Sequence, residues 1–322
     1  MEFRNKKAIS ILIAAQKLTR IPITVTCFGV ALLGSISAGG ITLAIGIAFV
    51  AIILLIIHGN SINDIADYEI DKINLKNASD RPLVSGDISM AGMWRLNIVS
   101  GLLALGLSIV FGYWAAVSTL ILIVYNYIYS LSPIRITDRT MLSPLTLSAT
   151  YSFVPFVFGY AASAQTAGFS WMLALALYFG FLARLLLKDF RDVKGDAKFG
   201  KRTFLLEYGS KATCAVSGMA AVVSLIFIVM SVHFSLGASI ILIVGNSIVI
   251  RQLVRLAHAK QQSRQAHLIS TTAKIGNSSI LVAFVFYICK NIGLQETYIQ
   301  VIPFVFGALL LGIALKAGRR EA

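Results

Sequence analysis

The sequence is short of charge: of 322 residues only 13% are Asp, Glu, Lys or Arg, and only 14 are acidic. A soluble domain carries about a quarter charged residues, so a surface wetted on every side is excluded. Cysteine is scarce too. Cys27, Cys214 and Cys289 lie in apolar stretches without ligand-like spacing, which excludes a disulfide framework and a zinc site and leaves them as small buried hydrophobes. No linker or low-complexity segment interrupts the chain, so residues 1–322 are expected to form a single domain. Charge is almost absent from the apolar stretches themselves. A polytopic transporter, the main alternative to an enzyme, places ionisable groups or broken helices near the bilayer midplane, and that pattern is missing.

What is abundant is apolar: 57% of residues are hydrophobic and the mean hydropathy is +0.81. Stretches of the length that crosses a bilayer, about 17 to 25 residues, recur from end to end. They are Ile21–Ala38, Ile41–Ile62, Leu96–Tyr113, Ala115–Leu131, Leu145–Ala164, Trp171–Leu187, Ala212–Val232, Leu236–Ile250, Ile275–Cys289 and Tyr298–Leu315. The expected fold is all-α, a polytopic bundle in lipid. The basic lead and the small residues from Ser35 to Gly40 resemble a cleavable leader, but the next apolar run starts at once, so the pair is expected to be a helical hairpin.

The formal charge of +14 points to topology rather than to nucleic acid. If consecutive helices pair as hairpins, 27 of the 28 Lys and Arg residues fall on one face and only Lys290 on the other. By the positive-inside rule that face is cytosolic, with both termini on it and some attraction to anionic lipid headgroups. The opposite turns are tiny. The longer connections on the basic face hold 11 of the 14 acidic residues, so chemistry is expected there.

Asp64, Asp67 and Asp71 recur in spacing as Asp189, Asp192 and Asp196, 125 residues later in each case. A weak structural repeat, two halves facing each other across a central cavity, would bring the sets together. At i, i+3 and i+7 three carboxylates share one face of a helix. Their mutual repulsion is relieved by a divalent cation, and magnesium binds through one or two carboxylates plus substrate phosphates. Basic residues flank both sets, as partners for phosphate oxygens.

Asn63-Asp64-x-x-Asp67-x-x-x-Asp71 resembles the NDxxDxxxD signature of UbiA-type intramembrane prenyltransferases, and Arg81-Pro82-Leu83-Val84-Ser85-Gly86 resembles the RPLxSG that follows it. Lys188-Asp189-Phe190-Arg191-Asp192-Val193-Lys194-Gly195-Asp196, with Gly200 and Thr203 after it, is similar to the family's second aspartate motif. Tyr129-Ser130-Leu131-Ser132-Pro133-Ile134-Arg135 resembles its YSxPPxR segment, with Ser132 in place of one proline and Thr137 where a lysine often follows. The match runs over about Arg20 to Gly209.

The resemblance implies nine transmembrane helices, which would leave the tenth run, 298–315, as an addition without catalytic role. It implies magnesium held by Asp64, Asp67, Asp71, Asp189, Asp192 and Asp196, and motif loops at 60–88 and 188–211. Asn60, Asn63, Lys72, Arg81, Arg135, Lys188 and Lys201 would hold the diphosphate of an isoprenyl diphosphate donor, and Tyr129 would shield an allylic cation with its ring. The lipophilic acceptor is expected to be an aromatic quinone precursor, with prenylation of geranylgeranylglyceryl phosphate as the alternative. Asp67-x-Glu69-Ile70-Asp71-x-Ile73-Asn74 looks closest to the branch of chlorophyll synthase and the archaeal ether-lipid enzymes. A phosphatidyl-alcohol transferase would need a DGxxAR pattern, which is absent. Membrane lipid is the expected surround; no nucleic acid and no obligate protein partner is implied.

Overall fold

The computed structural model describes residues 2–74, 81–198, 200–232 and 235–320. Among them are thirteen α-helices: α1 Glu2–Thr19, α2 Ile21–Ser37, α3 Ala44–Ala66, α4 Tyr68–Asn74, α5 Met90–Val110, α6 Tyr113–Ser130 and α7 Leu142–Ala161. The rest are α8 Trp171–Leu185, α9 Asp189–Lys198, α10 Phe204–Ser231, α11 Leu236–Ala257, α12 Gln262–Asn291 and α13 Glu296–Arg320. Each of the ten apolar runs is the body of one helix. In lipid a spanning segment must satisfy its own backbone, and only the helix does so without a partner. Six helices, α3, α5, α10, α11, α12 and α13, are long and apolar enough to span a membrane, and α1 with α2 makes a seventh if that bent pair counts as one.

Local chemistry sets the boundaries. Ser89, Thr203 and Ser235 cap α5, α10 and α11 by accepting from the backbone N–H three residues on, which satisfies an otherwise orphaned donor. Pro22 sits in the first turn of α2, where its missing N–H costs nothing. Between α1 and α2 the chain bends by 63°, and Arg20 takes a left-handed conformation at the corner (φ 44°).

Around the bundle, α2 packs against α3, α7 and α12, α3 against α5 and α6, α7 against α8, α8 against α10, and α11 against α12 and α13. Helices α2 and α7 meet through glycine: a Cβ on Gly34 would strike the Phe156 carbonyl and one on Gly159 the Ala31 carbonyl. Lipid tails supply no hydrophobic drive between helices, so close backbone approach and hydrogen bonds hold them. Ser217 donates to Ala183 O (2.8 Å) and Ser224 to Ala176 O (2.7 Å), tying α10 to α8. Outward faces are apolar; Leu102, Ile121 and Leu309 are exposed, as lipid-facing side chains are.

The connections segregate to two ends. At one, the Ala167 amide bonds Ala38 O, Thr42 bonds Ala162 O and Asn291 bonds Ile36 O. At the other, Arg135 reaches Asp67, and Thr140 pairs with Thr203 and bonds Glu207. Both aspartate motifs lie at this second end.

Candidate functional site

A cavity of about 890 Å³ opens between α2, α3, α6, α7, α8 and α12. Its wall on the first-motif side carries Arg20, Asn60, Asn63, Asp67, Asp71 and Arg81, and across it stand Lys188, Asp196 and Lys201. Thr137 and Tyr129 also line it. Of the two aspartate sets related by the 125-residue echo, Asp67 and Asp71 of the first and Asp196 of the second line the cavity.

The three carboxylates of the first motif do not share one unbroken helix. Asp64 is in α3, Asp67 is its C-cap (φ −97°, ψ 7°) and Asp71 is in α4. Hydrogen bonds from the Asp67 amide to Asn63 O (2.9 Å) and from the Asp71 amide to Asp67 O (2.8 Å) carry the helical pattern across the break, so the face survives. The second set lies on its own short helix, α9, after a break beyond α8. The side chain of Asp192 lies outside the described residues. Asp189 is buried, and Asp196 pairs with Lys201 at 3.5 Å.

Arginine, not a cluster of bare carboxylates, dominates the electrostatics. The Asp64 side chain is 2% exposed and receives Arg20 Nη2 at 2.8 Å together with a close Arg81 Nη1. Arg81 also reaches Asp71 (3.5 Å). Arg135 holds Asp67 at 2.5 Å and Asp138 at 2.7 Å, and Asn63 donates to Asp67 at 3.3 Å. Among the described residues, no three His, Cys, Asp or Glu side chains are arranged as a metal's ligand set. Asp64 Oδ2 is nevertheless buried without a hydrogen-bond partner.

Burial pushes the Asp71 carboxyl up, Arg81 pulls it down, and Asp64 and Asp67 repel its charge, leaving it at about 6. For Lys188, burial opposes the charge, but Tyr129 and Asp189 beside it hold the ammonium above its ordinary range. Tyr129 is buried, its hydroxyl 3.1 Å from that of Ser143 and its ring 5.4 Å from Tyr125.

Two expected site residues, Lys72 and Asn60, stand differently from the sequence reading. Lys72 is half-exposed, pairs with Glu69 (3.3 Å) and lies over the Tyr68 ring, outside the cavity. Asn60 borders the cavity but spends its amide on Leu18 O (2.7 Å), binding α3 to α1. His58, two residues before Asn60, is locked between α3 and α5 by Asn97 O at 3.0 Å. Conversely, Arg20 joins the site although it lies in none of the motifs. Its only sequence signal is a cation immediately before the Ile-Pro that opens an apolar run.

A cavity lined at one end by charged residues and elsewhere by apolar ones, within a bundle of apolar helices, suits a substrate with an anionic head and a lipid tail. The chain belongs to the UbiA prenyltransferase family, whose profile it matches over residues 21–271. It is an integral membrane protein and a transferase of prenyl groups, which sets the transporter alternative aside. It is 28% identical over 261 residues to the digeranylgeranylglyceryl phosphate synthase of Thermococcus kodakarensis, covering 79% of this chain and 90% of that one. It is 30% identical over 196 residues to the bacteriochlorophyll synthase 33 kDa chain of Rhodobacter capsulatus, covering 57% and 63%. The fold matches a solved digeranylgeranylglyceryl phosphate synthase structure with a TM-score of 0.70 at 22% identity, over 86% of this chain and 99% of that one. It also matches a UbiA homologue from Archaeoglobus fulgidus bound to GPP and Mg2+, with a TM-score of 0.59 at 15% identity over 94% and 98%.

Proposed function

We propose that this protein transfers an isoprenyl chain from an isoprenyl diphosphate to the free hydroxyl of a glyceryl phosphate ether lipid, of the geranylgeranylglyceryl phosphate kind. The observation that carries the reading is the two-sided mouth of the cavity, carboxylates and arginines on one wall and Lys188, Asp196 and Lys201 on the other, above an apolar interior. The names of its relatives favour the ether-lipid acceptor over the quinone precursor first expected from the sequence.

In the reaction the donor's allylic C–O bond breaks, the acceptor oxygen forms a new C–O bond to that carbon, and the hydroxyl proton leaves with the diphosphate. Arg20, Arg81 and Arg135 exchange their aspartate partners for diphosphate oxygens, and Lys188 and Lys201 close from the opposite side as point charges. Tyr129 presents its ring to the cation-like carbon, and the apolar walls keep out the water that would otherwise capture it. Magnesium fits this donor set of hard oxygens, and the unpartnered buried Oδ2 of Asp64 is an acceptor waiting for a cation. Asp64, Asp67 and Asp71 of the first motif and Asp189, Asp192 and Asp196 of the second would hold it. When bound, it would neutralise the charge that develops on the leaving group. The positive-inside rule sets the motif loops and both termini in the cytosol.

The test is mass spectrometry of lipids after the purified protein is given geranylgeranyl diphosphate, magnesium and a mixture of glyceryl ether phosphate and aromatic quinone precursors. Gain of one isoprenyl chain by the glyceryl phosphate is expected. Transfer to the aromatic acceptors alone would overturn the ether-lipid reading.

A further inference from the structure

Arg184 stands apart from the other cavity arginines. It lies in the last turn of α8, four residues before Lys188, and lines the main cavity. It also borders a smaller, mostly apolar cavity of about 90 Å³ between α8, α10, α11 and α12. Arg20, Arg81 and Arg135 each hold an aspartate. No carboxylate pairs with Arg184 among the described residues. Its Nη1 instead donates to Asn277 Oδ1 on α12 at 2.5 Å, and its guanidinium lies 6.0 Å from the centre of the Phe181 ring. Gly276, next to Asn277, leaves room beside it: a Cβ there would only touch Arg184 Cδ at 3.9 Å.

An arginine at an apolar wall is costly unless an anion complements it, and an ionisable group within a membrane bundle marks a substrate path. One of its five N–H donors is spent on Asn277, which aims the fork and leaves the remaining donors for an incoming group. The donor's diphosphate has its own cations at the aspartate walls. The anion that suits Arg184 therefore belongs to the other substrate.

We propose that Arg184, oriented by Asn277, binds the phosphate of the acceptor and sets the preference for a phosphate-bearing lipid over an uncharged one. This rests on the ether-lipid reading above. A phosphate monoester takes a guanidinium bidentately. A carboxylate acceptor such as a hydroxybenzoate offers related chemistry, so the assay includes it.

The experiment compares the full-length protein with Arg184→Gln and Arg184→Lys on three acceptors: an alkylglycerol phosphate, the same alkylglycerol without phosphate, and 4-hydroxybenzoate. Arg184→Gln is expected to raise KM for the phosphate acceptor about 30-fold or more, the loss of a charge-assisted contact, with KM for the donor unchanged. Arg184→Lys recovers part of the loss. The unphosphorylated alkylglycerol is handled alike by all three proteins. A wild-type enzyme that prefers the phosphate acceptor while Arg184→Gln keeps that preference would overturn the role of Arg184 and leave the ether-lipid reading standing. A wild-type enzyme that uses only 4-hydroxybenzoate removes both. Should Arg184→Gln fail to fold, as judged by melting with and without donor, Asn277→Leu leaves the charge but not its aim. A rise of about fivefold in acceptor KM is then expected, and no change overturns the proposal.

Discussion

Replacing Asp64 by asparagine keeps the shape of the side chain and removes the charge on which Arg20 and Arg81 converge. Breaking a buried ion pair from one side typically costs about 3–5 kcal/mol, because the other charge stays buried and unpaired. Here the cost is smaller, for two reasons. Arg81 retains Asp71 at 3.5 Å, and the side chains of Arg20 and Arg81 are 28% and 20% exposed and turn toward water in the cavity. About 2 kcal/mol remains, a fall in melting temperature on the order of 5 °C. Isoprenyl transfer should fall about 100-fold or more, as expected when a group that stabilises developing charge is removed. Differential scanning fluorimetry in detergent and a transfer assay on the same preparation measure both. Arg20→Gln should destabilise as well, and the double variant should lose less than the sum, since the two changes delete one interaction. A melting temperature equal to wild type, with strict additivity, would refute the arginine–carboxylate cage. Undiminished transfer would remove Asp64 from the site.

Asp71 titrates near 6, so its carboxylate is largely present at pH 7 and largely protonated at pH 5. Raised above the ordinary value, this group contributes stability at low pH that is lost as pH rises through about 6, whereas magnesium-dependent activity should change in the opposite sense. Melting in the absence of metal and transfer rates at pH 5 to 8 test the two slopes. Truncation after Asn291 removes α13, which adds no residue to the cavity but buries Leu311 and Ala314 against its neighbours. The truncated protein should retain some transfer at a lower melting temperature, and total inactivity of an inserted form would make α13 part of the site. Single cysteines at Ser85 and Ser163, in a background without Cys27, Cys214 and Cys289, should label from opposite sides of sealed vesicles; labelling from one side would contradict the hairpin topology.

The ten apolar runs could be read directly because lipid allows few alternatives to the helix, and hydropathy alone then locates each one. The aspartate motifs were equally legible, since their spacing is a local property. Pairing was not. Asp64 finds Arg20 at a separation of 44 residues and Asp67 finds Arg135 at 68, and no periodicity records which cation a fold will bring to which carboxylate. Two consequences follow from that gap. On spacing alone, three crowded carboxylates repel one another, and neutralising one should relieve strain. With arginines interleaved, the same substitution breaks attractive contacts, and the expected sign of the stability change reverses. The basic excess likewise looked like topology. Lys72 pairs with Glu69 outside the cavity, whereas Arg20, Arg81 and Arg184 line it. A positive-inside count treats all four alike, because it registers which side of the membrane a charge is on. Which charges meet a substrate is decided by the helix turn each occupies and by the neighbour that orients it.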